Sequence, residues 1–133
     1  MDTGTLVEGG AKGLLEVVHV LESQGVPILG AYLIRVTSEG GFSETNFRIV
    51  TNDDQRDVIY KFVRLRREKM LPALSDDVRI SPIRPDHVEA KRVLDYASRL
   101  GTPPVAIKEV FWDGLFIEDA VVVKMPSREH AVA

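Results

Sequence analysis

The sequence predicts a single α+β domain, and three observations carry that prediction. Apolar residues recur at helical spacing in three stretches, β-rich runs lie between and after them, and Asp113-Gly114 joins two such runs as a hairpin turn would. A chain of 133 residues is the size of one domain and can bury a core of its own. With 44% hydrophobic and 28% charged residues, wholesale disorder is set aside. A net charge of −3 and a pI near 5.6 argue against a surface built as a whole for nucleic acid, though not against a local basic patch. The absence of cysteine removes disulfides, thiolate metal sites and cysteine nucleophiles together. No apolar run approaches the roughly 20 residues of a membrane helix, and the first ten residues lack a secretory pattern. A cytoplasmic protein with no membrane contact is the expectation.

Taken in order, residues 3–8 are a short candidate strand. "GGAKGLLEVVHVLESQG" then reads as a helix. Ala11, Leu14, Leu15, Val17, Val18 and Leu21 share one arc, Lys12, Glu16, His19 and Ser23 gather opposite, and Gly25 is the stop; only Val20 breaks the pattern. "VPILGAYLIRVTS" is apolar on both alternating faces from Ile28 to Ile34, as a covered central strand would be. Turn chemistry at Glu39–Gly41 and the more polar "FSETNFRIVT" complete an antiparallel hairpin. Asn52 and Gln55 have the spacing of a capping box and open a helix from Asp53 to about Met70, which Pro72 ends. "DDVRISPI" is a short strand. Asp86 and Glu89 repeat the capping-box spacing before a stripe of Ala90, Val93, Leu94, Ala97 and Leu100, with Gly101 as stop. Two β-rich runs around Asp113-Gly114 form the last hairpin, and residues 126–133 are a tail expected to fray. No repeat or linker divides the chain.

The order (β)αββαβαββ makes residues 3–83 a ferredoxin-like βαββαβ unit: an antiparallel sheet with helices on one face. Residues 84–125 would add a helix and β-hairpin extension. Within that first unit, "EGGAKGLLEVVHVLESQGVPI" resembles the opening of ACT domains, ligand-sensing modules of amino-acid metabolism, and "IVTNDDQRDVIYKFV" is similar to their third strand running into their second helix. The resemblance covers Thr3 to Ile83. It departs at Lys12, where the family usually has proline, and has no counterpart for the last 50 residues. It implies binding of an amino acid or similar effector, usually between paired domains, with Gly9, Gly10 and Gly13 flanking the ligand. Glycines do admit close backbone approach, but they equally make a tight strand-to-helix turn.

His19, His87 and His130 are not at metal-binding spacing, and no hydrolase, Walker A or dinucleotide motif occurs, so no metal, cofactor or catalytic residue is assigned. In "RISPIRPDH", Arg79, Arg84 and His87 could converge on an anion, although Asp86 already supplies an acidic cap there. Trp112 is either an exposed aromatic contact or a plug for the core, and the last strand is either central or an edge pairing across a dimer.

"YKFVRLRREKM" is the most basic run. Arg56, Lys61, Arg64 and Arg67 lie opposite an apolar arc of Val58, Ile59, Phe62, Val63, Leu65 and Met70, while Arg66 and Lys69 project into that arc. Either the helix outruns the core, or Arg66 is held in a pocket or interface and pairs with a carboxylate. Three functions follow as expectations. The first is a non-catalytic, self-associating module that senses a small amino-acid-like molecule or regulates a partner. The second is nucleic-acid binding through the basic helix 56–69, and the third a small enzyme of unknown substrate.

Overall fold

A computed structural model describes residues 11–37, 41, 43–71, 78–112 and 115–126. The elements are α1 (Ala11–Ser23), β1 (Gly30–Thr37), β2 (Ser43–Val50), α2 (Gln55–Arg67), β3 (Val78–Ile83), α3 (Val88–Leu100), β4 (Val105–Trp112) and β5 (Leu115–Lys124). The candidate strand at 3–8 and the tail from 127 lie outside the described residues.

The strands form one five-stranded sheet in the order β3-β2-β1-β5-β4. Both expected hairpins are present as antiparallel pairs, β1 with β2 from Gly30↔Val50 to Thr37↔Ser43, and β4 with β5. Between them β1 pairs antiparallel with β5, so β1 and β5 are interior strands, and β3 and β4 are the edges among the described strands. The last strand is therefore central, not a free edge.

Alternation along β1 explains why the stretch from Gly30 to Ile34 is apolar throughout. Ala31 and Leu33 point into one core with Phe47, Ile49 and Val121, covered by Leu14, Val17, Val18 and Leu21 of α1 and Val58, Phe62 and Leu65 of α2. Tyr32 and Ile34 point the other way, into a second core with Ile107, Ile117, Ala120 and Val122, covered by Ala90, Val93 and Ala97 of α3. Val20, which breaks the apolar pattern of α1, is half-buried against the first core.

The α+β class holds, but two features of the expected sheet do not. β3 pairs directly and in parallel with β2, from Thr45↔Val78 to Val50↔Ile83, so the sheet is mixed. In the ferredoxin-like order another strand separates these two, and direct pairing leaves it no place. The two helices of that unit, α1 and α2, do share one face as expected, and α3 of the extension takes the other. α2 returns the chain to the start of a parallel neighbour over the face that α1 shares. Carrying the chain from edge β3 to the far edge β4 then falls to α3, across the remaining face.

The caps differ from their expected positions too. Asp54, not Asn52, caps α2, its carboxylate accepting from the Arg56 and Asp57 amides at 2.8 and 3.3 Å. Gln55 instead donates to the Pro82 carbonyl of β3 at 2.9 Å. His87, not Asp86, caps α3, its Nδ1 accepting from the Glu89 amide at 3.1 Å. No helix among the described residues is long and apolar enough to cross a membrane.

Candidate functional site

Two concavities lie on the α3 side of the sheet. α3 covers the centre of its face with small residues, so it sits close to the strands, and Gly30 makes room for it. A Cβ at Gly30 would stand 3.0 Å from Leu94 Cδ1. Leu94, half-buried, forms a ridge with an open hollow on either side. One hollow, about 620 Å³, is walled by Leu29, Val50 and Pro85 and rimmed by Lys91 and Arg92. The other, about 580 Å³, runs past Ser98, Gly101 and Thr102 to Met125. Both share Leu94, Asp95 and Pro126. Each is within the roughly 300–1,000 Å³ of small-ligand sites, with an apolar floor and a few polar groups at the rim.

The rim groups come from one turn of α3. Lys91 and Arg92 precede Asp95 by four and three positions, so both cations and the carboxylate stand on one side of the helix. Asp95 Oδ2 also accepts from Arg99 at 2.8 Å. A cation pair beside a carboxylate over an apolar floor complements a molecule carrying both an anionic and a cationic group.

α3 is fixed above this groove by a polar cluster at its first turn. Glu89 Oε1 accepts from the Tyr32 hydroxyl at 2.7 Å and from Arg48 Nε at 2.8 Å. Tyr32 is fully buried, and burial first, then the Glu89 charge, push its phenol well above its usual range, so it remains a donor. A second buried group lies on the opposite face. Asp119 faces Arg35 on β1 and Lys108 on β4, with Arg35 Nη1 at 3.6 Å. Among the described residues no group of three His, Cys, Asp or Glu side chains is placed to hold a metal ion.

The residues singled out from sequence do not assemble into one site. Gly9 and Gly10 lie outside the described residues, and Gly13, half-buried in the first turn of α1, is across the sheet from the groove. Arg66 is exposed on α2. Arg79 stands exposed on edge strand β3 beside Asn46, while Arg84 follows the end of that strand, about 16 Å further on at the usual strand rise. Arg84 pairs with Asp86 at 3.6 Å, and His87 is used by its own helix. The expected convergence of Arg79, Arg84 and His87 is thus absent. Only Pro85 of that loop reaches the groove. The side chain of Trp112 lies outside the described residues; its neighbour Phe111 is exposed.

Lys91, Arg92 and Asp95 carry no motif. A polar helix face reads the same in sequence whether it meets solvent or rims a hollow. No protein-family model matches the chain, and no curated protein or solved structure is significantly similar to it.

Proposed function

We propose that this chain is a non-catalytic module that binds a small amino-acid-like molecule in the groove beside α3. The observation that carries the reading is the turn of α3 that sets Lys91 and Arg92 beside Asp95 above the Leu94 ridge. A ligand carboxylate would lie against the two cations, its ammonium against Asp95, and an apolar side chain in one of the two hollows. The same ligand class is what the ACT-like resemblance of the first half implies, although the family's interface glycines take no part in this groove.

Titrating free amino acids, with their decarboxylated and deaminated analogues, into the protein while following thermal unfolding tests the reading. A zwitterion at about 100 times its Kd stabilises by about 2.7 kcal/mol, and its analogues by less. Lys91→Glu and Asp95→Lys should each abolish the shift while the free protein stays folded, Asp95→Lys losing only the small contribution of the exposed Arg99 pair. No shift with any compound, or a shift indifferent to both variants, ends the proposal.

A further inference from the structure

One side of α2 combines exposed apolar and basic residues. Val58, Phe62 and Leu65 are buried and fix the direction of the core. At roughly 100° per residue, Ile59, Val63 and Arg66 run along the side a quarter turn away, flanked by Arg56, Tyr60 and Arg67, and Met70 continues the line past the helix end. Ile59, Val63 and Met70 are 40%, 46% and 49% exposed, Tyr60 is 75% exposed, and the three arginines are exposed. The acids Asp57 and Glu68 lie on the other side, where Arg64 Nη2 donates to Gln24 at the end of α1 at 3.3 Å. The apolar and basic side therefore looks away from α1, out over edge strand β3.

Charge is segregated to match. Six basic and two acidic residues between Gln55 and Met70 give that segment +4, against −3 for the whole chain, so the remainder carries −7. Nucleic acid would lie against the arginines but leave Ile59, Val63 and Met70 uncovered. A second copy docked across a two-fold axis would press the arginines against their own equivalents. An amphipathic helix with an aliphatic stripe and acidic flanks complements both the apolar line and the positive charge of this segment, because aliphatic positions spaced three and four apart pack along such a line.

We propose that this side of α2 is a docking surface for an acidic amphipathic helix of a partner protein. The probe is a labelled synthetic helix of about four turns with leucines on one stripe and glutamates beside it. Its controls are the same peptide with lysine for each glutamate, a labelled oligouridine, and sedimentation of the protein alone. The glutamate peptide binds saturably and more weakly as salt rises. Its affinity falls at least about tenfold in an Ile59→Ser/Val63→Ser variant and again in an Arg66→Glu/Arg67→Glu variant. All four positions are exposed, so circular dichroism and melting should show both variants folded. The proposal is overturned if the glutamate peptide fails to bind, if the lysine peptide binds equally, or if either variant leaves affinity unchanged. It is equally overturned if oligouridine binds more tightly, or if the protein self-associates in a manner that Ile59→Ser/Val63→Ser abolishes.

Discussion

Asp119 is 3% exposed, its Oδ2 lies 3.6 Å from Arg35 Nη1, and its Oδ1 has no hydrogen-bond partner. The strands are irregular around it. β5 fits Glu118 in between the residues opposite Arg35 and Val36, with Thr37 donating to the Glu118 carboxylate, and Glu109 on β4 takes φ 52°, a conformation non-glycine residues rarely adopt. Burial raises the Asp119 pKa; Arg35 opposes that, Glu118 adds to it and Lys108 opposes it. The folded protein therefore holds this proton more tightly than the unfolded chain does. Asp119 contributes most when protonated, and its contribution is lost as pH climbs from the ordinary carboxylate range through the raised folded value. Asp119→Asn should flatten the fall in stability as pH climbs above the ordinary carboxylate range and leave the protein at least as stable as the parent at neutral pH. Urea unfolding at a series of pH values measures both. A variant clearly weaker at neutral pH would mean that the Arg35 attraction outweighs the cost of burial.

At the scale of elements, α1 and α2 end in the same way with different residues. After α1, the Gly25 amide donates to the Glu22 carbonyl and the Val26 amide to that of Leu21, at 3.0 and 3.1 Å, with Gly25 at φ 88°. After α2, the Lys69 amide donates to Arg66 and the Met70 amide to Leu65, at 3.1 and 3.0 Å, and Lys69 is at φ 59°. A side chain in this left-handed conformation costs roughly 1–2 kcal/mol that glycine avoids. Allowing for glycine's larger unfolded-state entropy, Lys69→Gly should stabilise the protein by about 0.5–1 kcal/mol. That raises the melting temperature by about 2–4 °C, and an unchanged or lower value would contradict the assignment. The helices were legible from periodicity, and the stops of α1 and α3 from Gly25 and Gly101; the N-caps were not. Asn52, Asp53 and Asp54 can all cap a helix. Tertiary contacts decide, because Thr51 is buried and pinned, its hydroxyl donating to the Pro27 carbonyl at 2.6 Å and accepting from the Asp53 amide at 3.1 Å. That leaves Asp54 as the cap. The apolar arc into which Arg66 projects is buried only in part. Ile59 and Val63 are themselves exposed, so Arg66 lies on the rim of the core.

For the molecule as a whole, the two hairpins were legible because each pairs neighbours in sequence. The parallel β2–β3 pairing and the position of α3 depend on contacts between distant segments, which no local pattern encodes. The groove was hidden for the same reason, since it exists only because α3 lies across β1 and the ends of β2 and β5. What ties α3 there, besides Ala90, Val93 and Ala97, is Glu89, whose one carboxylate serves both Tyr32 and Arg48. The Arg48 and Glu89 side chains are 19% and 12% exposed, so removing the acid strands a mostly desolvated guanidinium and a buried hydroxyl together. Glu89→Ala should cost about 2–4 kcal/mol, at or a little below the range for broken buried pairs. Tyr32→Phe alone should cost about 1 kcal/mol, one net hydrogen bond. The two losses should not add. Once Glu89 is gone the Tyr32 hydroxyl is already unpaired, so Tyr32→Phe on the Glu89→Ala background should be neutral or stabilising. Urea unfolding of the two single variants and the double variant closes this cycle. Additive losses would show that the Tyr32 hydroxyl does not depend on Glu89, and would remove this cluster as the tether that positions α3 over the groove.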